Sequence, residues 1–264
     1  MSTTRGIRPN KVKAKLGRGQ MALGAMLPYH SPETVEILGA MGFDFVTFDL
    51  EHEAYSESAL VHSIRAAEAF DLTTIVRVPN DPDLILRLLD GGAQGVHVPR
   101  VNTASDAQAV VEASRFHPQG RRTFYAGGRS GRYGVGLTEE EYALGSNRET
   151  LVILQVEEEE GVRNIQEIIS VPHVDAVQVG PKDLWQSMGM PDRTEVWKVV
   201  DRVLSQVAEG GLWGSMVAWL DKDVTEQLLH YRELGVRMVT ISARDLLMYG
   251  GRHYLDQAVG VAVG

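Results

Sequence analysis

Two carboxylates follow neighbouring apolar runs of this chain and together suit a metal ion. Glu157 comes directly after LVILQV, and Asp183 follows VDAVQV within the turn GPKD. The sequence has no Cys and few His near these positions, so the pair suits a hard divalent cation that keeps several water ligands. We therefore predict Mg²⁺ or Mn²⁺. The alternative is that Glu157 only opens the acidic run 157–160 at a helix N-terminus, where carboxylates interact favourably with the helix dipole.

An acid/base group is predicted at the strand end DLEH, residues 49–52. A carboxylate beside an imidazole orients the ring and raises its basicity, so that the ring exchanges protons near pH 7. The alternative is a polar strand end satisfied by loop partners. Arg77 ends the next apolar run, and a buried arginine there needs an anion. That anion is either a substrate carboxylate or a carboxylate of the chain, Asp81 or another.

Other polar residues at the ends of apolar runs are Gln155, His97, Arg100 and Lys182. Together with Arg77 and the arginines of residues 121–132, Arg100 and Lys182 predict a locally positive pocket around the two carboxylates. Such a pocket would bind an anionic acid, with Lys182 among the substrate-binding residues. A Schiff-base mechanism would need a buried strand-end lysine, and Lys182 is the one nearby candidate.

The composition of the 264-residue chain excludes several classes of binding partner and of catalytic chemistry. It carries 26 Lys and Arg against 35 Asp and Glu, a formal net charge of −9, which argues against a nucleic-acid partner. The absence of Cys excludes thiolate nucleophiles, disulfides and Cys-ligated metals. The polar, basic N-terminus does not have the pattern of a secretory signal, and no apolar run is long enough for a membrane helix. We expect a cytoplasmic protein without a membrane partner.

The elements that must position these residues follow a β/α alternation. Short apolar runs are typical of strands buried on both faces, and helical segments fit between nearly all of them. The predicted strands are 21–27, 43–50, 73–78, 95–98, 151–156, 174–179, 212–217 and 236–242. The predicted helices are 31–41, 57–70, 82–91, 104–116, 162–169, 195–208 and 222–234.

Eight such alternations predict a single (β/α)₈ TIM barrel over residues 1–264, preceded by a polar segment and helix in residues 1–20. The competing fold is a doubly wound open sheet, but its glycine-rich fingerprint after the first strand is absent. Residues 117–150 interrupt the alternation with a glycine- and arginine-rich stretch. Long connections of this kind are usually functional, so we predict an active-site flap there.

Five motifs occur in a characteristic order: FDFVTFDLEH, IVRVPNDP, LLDGGAQGVHVPRV, LQVEEEEGVRN and VDAVQVGPKDL. Jointly, from about Gly24 to Gly235, the chain resembles the HpcH/HpaI family of divalent-metal-dependent (class II) pyruvate aldolases, such as 4-hydroxy-2-oxo-heptanedioate aldolase. The resemblance implies a barrel of the phosphoenolpyruvate/pyruvate type. It also implies a hexamer, a dimer of trimers, in which C-terminal helices are exchanged between subunits.

The resemblance further implies a role for individual residues. Glu157 and Asp183 would hold Mg²⁺ or Mn²⁺, with Co²⁺ as a third candidate. His52 would be the acid/base, working through a metal-bound water, and Asp90 of a neighbouring subunit would pair with it. Arg77 would bind the substrate carboxylate and polarise its oxo group, and Gln155 would line the same pocket.

The chain also departs from the pattern of that family around the predicted mouth. HPQGRRT stands where a P-P-x-G-x-R-G motif is usual, and Lys182 and Trp185 replace small residues. His97 and Arg100 stand where apolar or smaller residues are more usual. These positions concern the aldehyde partner more than the metal or pyruvate.

Three functional hypotheses follow. The first is a metal-dependent lyase that reversibly cleaves a 4-hydroxy-2-oxo acid to pyruvate, or hydroxypyruvate, and an aldehyde through a stabilised enolate. The second is a metal-dependent decarboxylase of an oxaloacetate-like 2-oxo acid, comparable to macrophomate synthase. The third is a barrel that binds a 2-oxo acid without catalysis.

Overall fold

The strands of the chain close into a parallel barrel in the computed structural model, which describes residues 6–54 and 56–262. Each strand pairs with its two neighbours in sequence order, and β1 pairs with β8 to complete the ring. The strands are β1 (Ala22–Leu27), β2 (Phe45–Asp49), β3 (Thr73–Arg77), β4 (Gly95–Val98), β5 (Leu151–Val156), β6 (Ala176–Val179), β7 (Trp213–Val217) and β8 (Val236–Ser242). The predicted (β/α)₈ barrel is confirmed.

Helices surround the barrel and connect its strands. They are α1 (Lys11–Leu16), α2 (Pro32–Ala40), α3 (Glu57–Ala69), α4 (Pro82–Asp90), α5 (Ala104–Ser114), α6 (Glu139–Glu149), α7 (Glu159–Arg163), α8 (Ile165–Ile169), α9 (Pro181–Ser187), α10 (Arg193–Glu209), α11 (Val224–Glu233) and α12 (Ala243–Ala262). Side chains of Ser, Thr, Asp or Asn cap most of the longer helices, which fixes where each one begins.

The core has two parts, because alternate residues of each strand point outward and inward. The outward residues, such as Val46, Phe48 and Val76, pack against the helices in one continuous apolar layer. The inward residues of the barrel's N-terminal end form a smaller cluster with α1. Its members include Phe45 and Ile75, which are 1% or less exposed.

Helix α1 closes the N-terminal end of the barrel. Val12 and Leu16 enter the inner cluster, and both are buried. The side-chain amide of Asn10 donates to the carbonyl oxygens of Gln94 (3.1 Å) and Glu149 (2.9 Å), which ties the helix to strand starts on the barrel. The bottom of the barrel is therefore packed with apolar side chains and is not a passage.

Further along each strand the barrel interior becomes polar. The inward, buried positions of the C-terminal half carry hydrogen-bonding or charged side chains: Thr47, Asp49, His97, Gln155, Gln178, Ser215 and Thr240. Buried polar groups of this kind need partners and are rarely placed in a core for stability alone. The change of polarity marks the C-terminal mouth as the place for chemistry, as in barrels of this architecture generally.

The predicted flap, residues 117–150, contains an unpredicted helix. In α6, Thr138 and Glu141 form a capping box, in which each side chain accepts the other residue's backbone N–H. The preceding stretch, 117–137, lies where strands begin, because Arg122 and the N–H of Ser130 both bond to Asp90 at the end of α4. This stretch cannot cover the mouth of its own chain. The predicted role of residues 117–150 as an active-site flap stays a prediction.

Helix α12 follows β8 directly and packs only lightly on the barrel. Among its described side chains, six large apolar ones are 46–68% exposed: Leu247, Met248, Tyr249, Tyr254, Leu255 and Val259. Exchange of this helix between subunits stays a prediction. In the described part of the chain no helix combines the length and the apolar character that a bilayer crossing requires. The cytoplasmic location stays a prediction as well.

Candidate active site

Three polar side chains occupy one row across neighbouring strands near the mouth. Asp49 of β2 is in register with Arg77 of β3, which is in register with His97 of β4. Side chains in register on adjacent parallel strands point to the same face, so all three project into the barrel. The closed register of the barrel thus places a carboxylate, a guanidinium and an imidazole side by side.

Arg77 is held by Asp49 in a two-pronged ion pair. Its Nε donates to Oδ1 of Asp49 at 2.9 Å and its Nη2 donates to Oδ2 at 2.5 Å. Burial alone would raise the pKa of Asp49, but the hydrogen bonds and charge of Arg77 outweigh it and lower that pKa. The chain carboxylate opposite Arg77 is thus Asp49, whereas Asp81 caps α4 instead. No described contact occupies Nη1, which leaves one nitrogen for a substrate.

Glu157 lies in the loop after β5 and is only 3% exposed. Its Oε1 accepts the backbone N–H of Arg100 at 3.0 Å, and its Oε2 accepts a hydrogen bond from the amide of Gln155. Arg100 has a φ of 56°, the left-handed conformation that non-glycine residues seldom adopt, and this turn aims its N–H at the carboxylate. Because α7 begins two residues later, Glu157 is not part of the solvated helix start.

Gly180 permits this placement of Glu157. A Cβ atom at residue 180 would lie 2.6 Å from Oε2 of Glu157 and 2.8 Å from its Cβ. No side chain larger than hydrogen therefore fits between the end of β6 and the carboxylate without displacing it. Steric exclusion by Glu157 therefore explains why the motif GPKD begins with glycine.

Glu157 holds a charge that its surroundings disfavour. Burial, followed by the negative charges of Asp183 and Glu51, raises the pKa of Glu157 to about 7, against the opposing hydrogen bonds from Gln155 and Arg100. A carboxylate in such a place is ionised at neutral pH most easily when a cation lies beside it. The donor set therefore fits a hard cation bound by oxygen.

Glu157 and Asp183 line the same cavity of about 470 Å³, as the sequence predicted for neighbouring strand ends. Glu51, His52 and Arg100 line it too. Asp183 is exposed in the first turn of α9. Within the described residues, no three His, Asp or Glu side chains are grouped to hold a metal ion. A cation held by two carboxylates would keep positions for water or substrate, as Mg²⁺ does in many sites.

His52 and Glu51 form the outer part of the cavity. The His52 side chain is 63% exposed, and its Nε2 lies 3.6 Å from Oε2 of Glu51. That buried oxygen has no hydrogen-bond partner, although Arg77 Nε is 3.5 Å away. A buried carboxylate oxygen without a partner, on a residue that lines the cavity, is a further sign that a positive group belongs there. The structure brings together the predicted acid/base residue and the predicted metal ligands.

A chain of polar side chains supports Glu157 from inside the barrel. Gln178 donates from Nε2 to Oε1 of Gln155 at 3.3 Å and accepts from Oγ of Ser215 at 3.0 Å. Gln155 thus supports Glu157 from within the barrel and is not among the residues that line the cavity, so its predicted contact with the substrate stays a prediction. Sequence reasoning missed Gln178 and Ser215. Their signal was a polar residue at an inward position of an otherwise apolar strand.

His97 is buried and neutral. Burial, together with the positive charge of Arg77, lowers the pKa of His97 to about 3 and outweighs the hydrogen bond to Gln155. Its Nε2 is buried without a hydrogen-bond partner. The residue is thus a neutral wall of the site and not a source of protons near pH 7.

Asp90 and Lys182 lie outside the mouth cavity of their own chain. Asp90 ends α4 at the opposite end of the barrel, where Arg122 Nη2 donates to its Oδ1 at 2.5 Å. It can meet only the His52 of another chain, and that pairing stays a prediction. Lys182 is exposed on α9 and lines a neighbouring groove instead.

The chain is similar to known aldolases along most of its length. The family model described as HpcH/HpaI aldolase/citrate lyase matches residues 23–230. A 5-keto-4-deoxy-D-glucarate aldolase of Klebsiella pneumoniae subsp. pneumoniae is 30% identical over 241 residues, which cover 90% of this chain and 91% of that protein. The resemblance predicted from the motifs is confirmed at the level of the family.

Solved structures agree with that similarity. An HpcH/HpaI aldolase/citrate lyase family protein from Burkholderia cenocepacia J2315 has a TM-score of 0.85 at 30% identity, covering 94% of this chain and 99% of its own. The citrate synthase SbnG has a TM-score of 0.84 at 28% identity, covering 96% and 98%.

More distant structures show likeness of fold alone. Macrophomate synthase is 21% identical with a TM-score of 0.81, covering 100% of this chain and 94% of its own. A citrate lyase beta subunit from M. tuberculosis, solved with oxaloacetate and magnesium, is 18% identical with a TM-score of 0.56, covering 85% and 92%.

Proposed function

The chain belongs to the HpcH/HpaI aldolase/citrate lyase family, and we propose that it reversibly cleaves a 4-hydroxy-2-oxo acid to pyruvate, or hydroxypyruvate, and an aldehyde in a metal-dependent reaction. Its named relatives are aldolases, which are carbon–carbon lyases, and the chain is an enzyme of that class. A barrel that binds a 2-oxo acid without catalysis is accordingly not retained.

The observation that carries the proposal is the buried Glu157 carboxylate, which lines the same cavity as Asp183 and Glu51. Arg77 lies next to this cavity, with its Nε 3.5 Å from Oε2 of Glu51, and its Nη1 has no contact among the described residues. Glu157 and Asp183 would hold a divalent cation, Mg²⁺ or Mn²⁺, with Co²⁺ as a further candidate. Magnesium is present with oxaloacetate in the citrate lyase beta subunit that shares this fold, which supports the choice. When bound, the cation supplies Lewis-acid charge that stabilises negative charge on the substrate.

Arg77 binds and orients the 2-oxo acid. Asp49 fixes two of its nitrogens, so the third is presented in one direction with little loss of side-chain freedom on binding. A guanidinium fixed in this way donates a charge-assisted hydrogen bond to the substrate carboxylate or oxo group. The same positive charge stabilises the enolate that forms as the C–C bond breaks.

His52 moves the proton. Its ring is exposed and lines the cavity next to Glu51. From there it would accept the proton of the 4-hydroxyl group of a hydroxy-oxo acid held by Arg77. In the cleavage direction the imidazole takes the hydroxyl proton as the aldehyde forms, and the resulting imidazolium gives that proton to the enolate carbon to yield pyruvate. Gln155 and Gln178 keep Glu157 in place during these steps.

We further propose a homo-oligomer, a hexamer built as a dimer of trimers, with α12 exchanged between subunits. The exposed apolar face of α12 supports this arrangement, since such patches mark protein contacts. The proposal also brings Asp90 of one chain near His52 of the next. Light scattering coupled to size-exclusion chromatography tests the assembly, and a monomer at micromolar concentration would contradict it.

Exchange of the pyruvate methyl protons in D₂O, followed by ¹H NMR, tests the proposed function without knowledge of the aldehyde. We expect Mg²⁺ to support exchange and EDTA to abolish it. His52→Ala should lose exchange at least about 100-fold, because general acid–base catalysis contributes about 10²–10⁴-fold. His62→Ala, an exposed histidine of α3, is the matched control and should exchange normally. Exchange that survives complete metal removal contradicts the proposal.

The same cavity suits a second reaction, decarboxylation of an oxaloacetate-like acid, because loss of CO₂ leaves the same enolate. The presence of oxaloacetate in the citrate lyase beta subunit favours keeping this candidate. The substrates that the enzyme accepts distinguish the aldolase from the decarboxylase. Metal-dependent loss of CO₂ from oxaloacetate, without cleavage of any 4-hydroxy-2-oxo acid, would favour the decarboxylase.

A further inference from the structure

A second cavity adjoins the mouth and is not used by the proposed chemistry. It has a volume of about 750 Å³ and lies between α9, α10 and the loop after β7. Asp183 and Gln186 line both cavities, so the groove opens beside one of the two carboxylates predicted to hold the metal. We call this cavity the tryptophan groove, because three of the four Trp residues of the chain line it: Trp185, Trp197 and Trp219.

The indole rings of the tryptophan groove are arranged around cations. Trp197 and Trp219 meet at 90° with ring centroids 5.6 Å apart. Lys222 Nζ lies 5.0 Å from the Trp197 centroid and 5.7 Å from the Trp219 centroid. The guanidinium of Arg193 lies 3.8 Å over the ring of Trp185. The groove therefore combines flat apolar surfaces with positive charge.

The basic side chains that line the tryptophan groove outnumber its acidic ones, three to two. Within the described residues, Lys182, Arg193 and Lys222 make no ion pair with a carboxylate, although most other Arg and Lys near acidic groups do so. The acidic residues of the lining are Asp183, which faces the predicted metal, and Asp221. In a chain of net charge −9, three unpaired cations along one groove favour an anionic ligand.

We propose that the tryptophan groove is the acceptor subsite of the enzyme, and that it takes an aromatic aldehyde that carries a carboxylate. The inference rests on the proposed function, since it gives that reaction its aldehyde. In the synthetic direction the enolate carbon of pyruvate bonds to the aldehyde carbon. The electron pair of the broken C=O π bond moves to the aldehyde oxygen, which takes up one proton to become the 4-hydroxyl. No further reactant is needed.

Size and shape support an aromatic acceptor over a small one. Cavities of 300–1,000 Å³ bury most of a drug-sized ligand, whereas a two- or three-carbon aldehyde would leave most of 750 Å³ to water. Indole faces stack well on planar rings, and Lys182, Arg193 and Lys222 line the same groove and supply positive charge for a carboxylate. Lys182 and Trp185 of α9 both line this groove.

Aldol addition of pyruvate with Mg²⁺ tests the acceptor class through three aldehydes. 4-Carboxybenzaldehyde has both ring and carboxylate, benzaldehyde has only the ring, and 4-oxobutanoate has only the carboxylate. We expect kcat/KM for 4-carboxybenzaldehyde to exceed each of the other two by about tenfold or more, as one charge-assisted contact and one stacked ring allow. Equal or lower kcat/KM for 4-carboxybenzaldehyde overturns the proposal.

Variants locate the preference in the groove. Lys222→Met should reduce the ratio of kcat/KM for 4-carboxybenzaldehyde over benzaldehyde about tenfold, mainly through KM. Trp197→Leu should reduce the ratio of 4-carboxybenzaldehyde over 4-oxobutanoate. Lys198→Met on the same helix is the control, because Lys198 pairs with Glu195 on the exposed surface and does not line the groove. Ratios that stay unchanged in both groove variants overturn the assignment.

Binding without turnover separates this inference from the proposed function. Terephthalate has the ring and carboxylates but no aldehyde, and three of four tryptophans report on the groove. We expect terephthalate to quench the intrinsic fluorescence of the Mg²⁺-loaded protein and succinate not to do so. Normal pyruvate proton exchange without quenching refutes the groove alone and leaves the proposed function in place. Quenching without exchange or cleavage refutes the proposed function and leaves a ligand site.

Discussion

The two halves of the barrel interior differ in kind. The N-terminal half is filled by Phe45, Ile75 and their neighbours around α1, and its members are nearly all apolar and fully buried. The C-terminal half holds Asp49, His97 and Glu157 at similar burial, with charges and hydrogen bonds in place of apolar packing. One half obeys the rules for a stable core, and the other departs from them.

The departures are costly in free energy and concentrated at the mouth. Oε2 of Glu51 and Nε2 of His97 are buried without partners, and the pKa of Glu157 is raised to about 7. Proteins keep such features where function requires them, and stability must come from elsewhere in the fold. The comparison therefore predicts opposite mutational behaviour in the two halves.

The largest effect is expected in the polar half. Glu157→Gln should lower Mg²⁺-dependent proton exchange of pyruvate about 10³-fold or more, because it removes a predicted metal ligand that supplies several kcal/mol of charge stabilisation. The variant should nevertheless fold, because the amide keeps the shape of the side chain. Proton exchange is measured by ¹H NMR, and folding of the variant is measured by far-UV circular dichroism. Glu159→Gln, exposed in α7, is the control, and equal losses in the two variants would contradict the role of Glu157.

Substitutions in the apolar half of the barrel interior should lower the stability of the protein and leave its activity unchanged. Phe45→Ala should lower the free energy of unfolding by about 3–5 kcal/mol, because it leaves a cavity in a core that tolerates little change. The ring packs so closely that a Cβ on Gly24 would lie 2.3 Å from it. Urea denaturation measures the loss, and exchange per folded molecule should remain normal. Leu23→Ala, on the exposed side of β1, should cost less than about 1 kcal/mol. A cost for Phe45→Ala as small as that would remove the distinction between the halves.

The pH dependence of stability should show the strain at Glu157. Its folded pKa of about 7 lies above the unfolded value of 4.5, so the native state binds the extra proton between these values. Metal-free protein should therefore lose up to about 3 kcal/mol of stability as pH rises from 4.5 through 7. Urea denaturation at several pH values with EDTA, compared with Glu157→Gln, isolates this loss.

His97 contributes with the opposite sign, because its lowered pKa favours the native state above pH 6.5 and that stability is lost as pH falls toward 3. His97 is present in both proteins, so its contribution cancels when the unfolding free energy of Glu157→Gln is subtracted from that of the wild type. Identical pH profiles for the two proteins would show that Glu157 is not strained.

The smallest effect is expected at Gly180. Gly180→Ala should weaken activation by Mg²⁺ about tenfold, because the added methyl group displaces the Glu157 carboxylate. Titration of proton exchange with Mg²⁺ measures the midpoint. Gly17→Ala, whose Cβ would meet its nearest atom at an ordinary 3.4 Å, should leave the midpoint unchanged. An unchanged midpoint in Gly180→Ala would mean that Glu157 adapts without loss.

Much of the fold could be predicted because both faces of each strand are buried, which leaves apolar runs at regular intervals. The ends of strands are harder to predict: the predicted strand 43–50 is longer than β2 because Asp44 and Leu50 continue its sequence pattern but lie outside the strand. Helix α6 went unpredicted because EEEYALGSNRE has few apolar residues to show a helical period. Its capping box, Thr138 with Glu141, was the available signal.

The candidate site was predictable where it depends on strand ends. Glu51, His52, Glu157 and Asp183 share one cavity because parallel strands end at one side of the barrel. The partner of Arg77 was not predictable, since the register of the closed barrel selects Asp49. Residues that precede a strand lie at the N-terminal end of the barrel, away from this site.

The N-terminal helix α1 has a consequence for the order in which the protein is completed on the ribosome. Asn10 bonds to residues 94 and 149, and Lys13 forms an ion pair with Asp175 at 2.7 Å. A helix that is synthesised before every strand of the barrel is therefore among the last that can dock, after most of the strands have emerged. Until then the barrel floor, with its apolar side chains, stays open in the nascent chain.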